Sequence, residues 1–503
     1  MRSGGEGVAA YILSVDQSTQ GTKALIFDQK GAILARADVP HRQIIDSAGW
    51  VEHDLEEILQ NTIEASRQAA AKAGIDPADI ACMGISNQRE TCAAWNRETG
   101  APVHNAIVWQ CGRAKDICGE LERAGWGPAV KERTGINLSP YFSASKLAWL
   151  LRNVREAPEL SRTGKLCCGT IDSWLVFRLT RERTFKTDYS NASRTQLFNL
   201  QRLKWDEEIC GAFGINPACL PEVCFSDSCF GSTDLGGFLP RPVPIHGVLG
   251  DSHAALFGQG CHRPGMVKAT YGTGSSVMMN IGKKPILTKS LATSIAWGMG
   301  NTVEYVAEGN INYAGAIVTW LKDDMGLISS SKEVGKPAKA ANPEDTTCLV
   351  PAFSGLGAPY WSGNAKAMIC GMTRLTGKRE LAKAAEEAIA MQVADILQLM
   401  EDEAGIHVDV LKADGGATRD AYLMQLQSDI LGKPVDIPDA EELSAIGAAY
   451  CAGIAAGVLS KKDLFPVRSA LSYAPKMDDI ARQKKCSLWK EAVRLTLHQA
   501  EQK

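Results

Sequence analysis

The sequence predicts an α/β fold in two large domains, on three observations. At 503 residues the chain exceeds what a single hydrophobic core usually organises. Short apolar strands alternate with amphipathic helices along its length, the pattern of sheets covered by helices. A hairpin with a small, hydroxyl-rich turn near the N-terminus is echoed in the second half, and such a repeat divides the chain near residue 258.

The opening elements read as a β-meander. "YILSV", "TKALIFD" and "AILARADV" are apolar strands, parted by a polar turn and by "QKG". "DLEEILQNTIEASRQAAAKAG" has helical periodicity, and "IACMGIS" is a buried strand. "VLGDSHAALFGQG" is a strand end followed by a short apolar helix, with Asp251 at the helix mouth. The echo is "GMVKATYGTGSSVMMNIG", again two short strands around a turn. "ISSSKEVGKPAKAANPEDTT" reads as a surface loop or weak helix. "ELAKAAEEAIAMQVADILQLMEDEAG" sets Ile389, Val393, Ile396 and Met400 on one face and stops at Gly405. "VLKADGG" is a strand running into paired glycines, and "AYLMQLQSDILG" is a helix. The charged segment from about Pro475 is expected to be helical and peripheral.

Bulk properties narrow the function. A formal net charge of -3 gives no basic surplus for nucleic acid or an anionic membrane, so a small-molecule partner is favoured. The 15 cysteines form no CxxC pair and no Cys/His cluster with zinc spacing, which reads as free thiols in a reducing cytoplasm. The start "MRSGGEGVAAYILSV" lacks a leader's basic end, long apolar run and cleavage site, and no apolar run reaches membrane-spanning length. A cytoplasmic homodimer is the expected assembly.

Three turns suit phosphate. In "DQSTQGTK", small and hydroxyl residues let backbone amides approach an anion, with Lys23 as a point charge and Asp16 as a holder of Mg²⁺ through water. Alone, this is equally an ordinary polar hairpin. In "YGTGSS", glycines flank Thr273, and in "DGGATRD", Gly415 and Gly416 follow a strand and precede a helix. Beyond the strand "IACMGIS", "SNQRET" places Arg89 beside Glu90, either a surface ion pair or a ligand grip where α/β folds put their sites. Trp109 offers an apolar wall and Tyr141 a hydroxyl. Asp251 is either the N-cap of its helix or a proton acceptor facing a cleft.

Longer stretches carry a family resemblance. "YFSASKLAWLLRN" and "GMTRLTGKRELAKAAEEA" fit the two signatures of the FGGY carbohydrate kinases. "GWVEHD", "GISNQRET", "NAIVWQC", "TDYSNASRT" and "SGLGAPYW" are similar to the branch that phosphorylates glycerol. The chain resembles this family from Tyr11 to roughly Val458. The resemblance implies two actin-like, ribonuclease-H-like ATPase domains, 1–257 and 258–503, with ATP and substrate in the cleft between them. On matching positions it implies Arg89, Glu90, Trp109, Tyr141 and Asp251 as polyol ligands and Asp251 as general base. It further implies Asp16 as support for Mg²⁺ and Thr19, Gln20, Gly21 and Lys23 as the first phosphate loop. Thr273, Gly274, Gly315 and Gly416 are the implied nucleotide contacts.

The chain departs from that branch beside the substrate. Ser252, followed by His253, replaces a glutamine that touches substrate, and Ser276 replaces an aromatic packed on the substrate carbons. Both changes shorten a side chain, so a roomier, more polar pocket is expected. A tetritol or a ketopentose such as xylulose or ribulose is the alternative to glycerol. His253 is read as a substrate contact or a helix cap. On the nucleotide side Thr319 stands for a glutamine and Asp420 for an asparagine near adenine, where it still offers an acceptor. A switch ATPase of the actin or chaperone type is the rival class. The Arg89–Glu90 pair with Asp251 argues against it, because a switch needs no polyol grip.

Overall fold

The computed structural model describes residues 10–464 and 469–502, so the first nine residues, read above as carrying no leader, lie outside it. The first sheet has the order Ser232–Thr233, Val243–Gly250, Ile80–Asn87, Tyr11–Gln17, Gly21–Phe27, Ile33–Pro40. Its meander is antiparallel, while Ile80–Asn87 and Val243–Gly250 add in parallel. The central strands are buried on both faces, which is why they read as apolar runs rather than as alternation.

Helix Leu55–Ala73 begins because the Asp54 carboxylate accepts the amides of Glu56 and Glu57, and it ends at Gly74 in the left-handed region. It packs against the first sheet, burying Leu55, Ile58, Leu59 and Ala65. Helix Leu443–Ala455, from the second half of the chain, also covers this sheet, burying Leu443 and Ala449 with Ile12, Leu25 and Phe27. The approach needs glycine, since a Cβ on Gly84 would lie 2.5 Å from the Ala448 carbonyl.

The second sheet has the order Ala292–Met299, Thr302–Ile311, Ser275–Gly282, Val267–Tyr271, Leu411–Asp414, Val435–Pro438, Ser469–Tyr473. Its hairpin Val267–Tyr271/Ser275–Gly282 continues antiparallel into Thr302–Ile311, and Leu411–Asp414 then Val435–Pro438 add in parallel. Both sheets therefore share one plan, three antiparallel strands followed by two parallel ones, and the repeated hairpin is the start of each. Helix Lys378–Ala404 buries Ile389, Val393, Ile396 and Met400 and stops at Gly405, as the periodicity predicts.

The C-terminal helix corrects the expectation of a peripheral segment. Asp479–Glu501 buries Trp489, Ala492, Val493 and Thr496, and Trp489 Nε1 donates to Asp395 at 2.7 Å. Eight of its 23 residues are charged, but these four form a stripe at helical spacing, enough to seal the second core. All fifteen cysteines are free thiols. No helix among the described residues is long and apolar enough to cross a membrane.

Candidate active site

Two parallel strands deliver the acid and the arginine to one place. Gly250 pairs with Asn87 in register, so Asp251 and Arg89 leave the same C-terminal edge side by side. Arg89 Nε lies 3.1 Å from Asp251 Oδ1, and a Cβ on Gly250 would lie 2.5 Å from Arg89 Cγ. Arg89 and Glu90 are buried, which rules out the surface ion pair. Arg89 gives both terminal nitrogens to Glu308, at 3.0 Å each. Arg194 donates to Glu90 at 2.8 Å and lies 2.9 Å from Glu308. Ser276 Oγ donates to Glu308 at 3.1 Å. Arg89 Nε makes no hydrogen bond to Asp251 despite the short distance and has no other acceptor, a buried donor left unpaired beside the acid.

Asp251 is not the N-cap. Gly250 occupies that position, and Asp251 is the first helical residue, accepting the Ser252 amide at 2.6 Å. The Ser252 hydroxyl does not cap either, since the helix has no side-chain cap bond. Burial raises the proton affinity of Asp251, and Arg89 partly opposes this. Its side chain keeps 35 % of its surface accessible at the cleft. His253 is no cap: it is buried, its Nε2 is 3.1 Å from Ser294 Oγ, and burial with Arg89 nearby keeps it neutral. Trp109 Nε1 donates to Thr19 Oγ1 at 2.9 Å, and its ring packs edge-on with Tyr141 at 5.4 Å, so the "DQSTQGTK" turn and this aromatic pair brace each other.

The three turns converge as well. Ser18 closes the first turn through its amide to the Gly21 carbonyl at 2.9 Å, and a Cβ on Gly21 would meet the Val39 oxygen at 2.6 Å. Gln20 is exposed at the tip of that turn. In the second turn the Thr273 carbonyl accepts the amides of Ala314 and Ala316, and the Gly272 carbonyl accepts that of Gly315. A Cβ on Gly274 would strike the Ile311 carbonyl. The third turn lies against it, because Thr270 pairs with Asp414 and Gly415, at φ 97°, abuts the Tyr271 backbone. Gly416 faces open space, at the edge of a cleft of about 630 Å³ that also borders Glu441 and Glu442. Lys23 Nζ donates to Glu442 at 2.8 Å.

Two positions expected to face nucleotide make contacts within the protein. Asp420 caps helix Ala421–Leu431, accepting Tyr422 and Leu423, and its other oxygen accepts the Gly335 amide at 3.0 Å. Thr319 is exposed and its hydroxyl donates to the Gly315 carbonyl.

Asp16 sits at the end of strand Tyr11–Gln17 and accepts Ser86 Oγ at 2.8 Å. Burial pushes its carboxyl up to about 6, with Asp251 contributing and Lys23 opposing. A buried carboxylate whose proton affinity is raised partly by a second carboxylate nearby is a donor that a divalent cation would relieve, so Asp16 fits Mg²⁺.

Sequence reasoning missed Arg194 and Glu308. An acid inside the apolar strand "YVAEGNI" was the one available signal for Glu308. Arg194 lies in the family-like stretch "TDYSNASRT", but its partners are 104 and 114 positions away, so the stretch alone gave it no role.

Comparison with known proteins identifies the family. Residues 11–258 match the N-terminal domain model, and 267–456 the C-terminal domain model, of the FGGY family of carbohydrate kinases. Glycerol kinase 1 of Thermotoga maritima is 47% identical over 492 residues, covering 97% of this chain and 99% of that protein. Glycerol kinase of Thermoanaerobacter pseudethanolicus is 44% identical, covering 98% of this chain and all of that protein. The crystal structure of Plasmodium falciparum glycerol kinase with ADP superposes at TM-score 0.92 with 35% identity, covering 98% of this chain and 99% of that one. A gluconate kinase of Lactobacillus acidophilus shares the fold at TM-score 0.88 and 21% identity, covering 98% of each chain. Both domain models match in order and the relatives are covered almost end to end, and the chain belongs to the FGGY family of carbohydrate kinases.

Proposed function

We propose that the protein transfers the γ-phosphoryl group of ATP to a primary hydroxyl of glycerol or a closely related small polyol. The carrying observation is the placement of Asp251, at the mouth of a helix, 3.1 Å from an Arg89 Nε that has no hydrogen-bond acceptor. The relatives named as glycerol kinases support the reaction class, and the ADP-bound relative supports the nucleotide.

Phosphoryl transfer has a loose transition state, so positioning and charge neutralisation supply most of the rate. Asp251, made more basic by burial, orients the attacking hydroxyl and takes its proton as the new O–P bond forms and ADP leaves. Arg89 Nε, Glu90 and Tyr141 grip neighbouring hydroxyls, and Trp109 covers the carbon face. Thr19, Gln20, Gly21 and Lys23 on one side, and Thr273, Gly274 and Gly315 on the other, receive the phosphates. Gly416, Thr319 and Asp420 border the nucleoside, where Asp420 keeps lone pairs beyond its cap bonds. Asp16 would hold Mg²⁺, which would supply neutralisation of phosphate charge. We divide the chain at 257/258 into a substrate lobe and a nucleotide lobe, and we place this homodimeric enzyme in a reducing cytoplasm.

The test is a coupled assay for ADP release with ATP, Mg²⁺ and glycerol. Polyol-dependent turnover, abolished by chelating the metal, is the expected result; its absence with every small polyol refutes the reading.

A further inference from the structure

We infer that the acceptor site continues beyond the Arg89–Glu308 pair into a second hydroxyl-binding subsite, so that the preferred acceptor is a neutral open-chain polyol or ketose of more than three carbons. This inference rests on the phosphoryl-transfer reading above. A cavity of about 290 Å³ has Tyr141, Arg194 and Glu308 among its walls, and Asp251, Arg89 and Trp109 are not among them. It is therefore space additional to the place where the reacting hydroxyl sits, joined to it through Tyr141 and through Glu308, which Arg89 grips. At about 30 Å³ for each water-sized group, it has room for roughly ten.

The strand register explains the shape and polarity of this space. Ser276 and Asn310 are direct cross-strand partners, so their side chains stand on one face, and Glu308, two residues before Asn310, shares it. Asn312 continues the lining beyond the strand, and Asn137 faces from the substrate lobe. Phe142 and Trp361 supply flat apolar walls for carbon-bound hydrogens. Amides alternating with aromatic faces match a chain of hydroxylated carbons. Charge narrows the class. Among the described residues its charged walls are Arg194 and Glu308, 2.9 Å apart, so their charges balance and no net positive charge favours an acid or phosphate at the far end of the chain.

Initial rates of the full chain with ATP and Mg²⁺ are compared for glycerol, erythritol, ribitol, xylitol and D-xylulose. A kcat/KM at least about ten-fold above that of glycerol for one of the longer chains is the expected result. Preference for glycerol over all of them overturns the subsite while leaving the kinase reading intact; turnover of none overturns both. In parallel, Asn312→Leu and Asn310→Leu, both at exposed positions, should each lower the ratio of longer-chain to glycerol kcat/KM by about ten-fold. Unchanged ratios in both variants, at parental thermal stability, overturn the assignment of this cavity.

Discussion

Replacing Glu308 by glutamine tests whether the carboxylate from the nucleotide lobe positions the substrate arginine. Glu308 is fully buried, takes both terminal nitrogens of Arg89 at 3.0 Å, and lies 2.9 Å from Arg194. Removing one partner from a buried ion pair costs roughly 3–5 kcal/mol. Glutamine keeps one acceptor oxygen, so the lower end applies to folding stability, while an Arg89 displaced by about 1 Å lowers kcat/KM by about a hundred-fold. Loss of the negative charge also leaves Arg89 less neutralised beside Asp251, which lowers the proton affinity of that base and moves the acid limb of the rate profile to lower pH. Ser276→Ala is the control: it removes one hydroxyl bond to the same carboxylate, about 1 kcal/mol, for less than ten-fold. The assay is a pH–rate profile for parent and both variants. A Glu308→Gln enzyme within three-fold of the parent, with its acid limb unmoved, refutes the reasoning.

Glu386→Gln should stabilise the protein. Glu386 is buried with neither oxygen hydrogen-bonded, and burial, with Asp420 adding to it, pushes its carboxyl up to about 8. The folded state therefore keeps a proton that the unfolded chain loses above about 4.5, and stability falls as pH rises through that window. The variant escapes this penalty, gaining roughly 3 kcal/mol at pH 7 and almost nothing near pH 4.5; equal urea midpoints for parent and variant at pH 7 would contradict it. Gly274→Ala should raise the KM for ATP at least about ten-fold with little change in polyol KM, because the added Cβ drives the phosphate turn off the Ile311 carbonyl. An unchanged ATP KM removes Gly274 from the nucleotide site.

What could be read from the sequence was what local chemistry decides. Both hairpins, the buried strand "IACMGIS" and the stop at Gly405 follow from apolar runs, turn residues and a left-handed glycine. The boundary at Asp251 did not follow, because Gly250 and aspartate are both acceptable caps and only the backbone angles choose between them. The core-sealing role of Trp489 was hidden by the charged residues around it. The ion network was the least legible. Arg89, Glu90 and Asp251 lie beside recognisable strand ends, whereas Arg194 meets Glu90 from 104 positions away and Glu308 gains its partners only when the two halves of the chain meet.

Asp251 carries the central claim, and Asp251→Asn tests it most directly. Asparagine fills the same space and still accepts the Ser252 amide through its oxygen, so the fold and ATP binding should persist. Loss of the base should lower kcat by about a hundred-fold or more while nucleotide affinity stays at the parental value. Parental turnover by the folded Asp251→Asn protein would contradict the account.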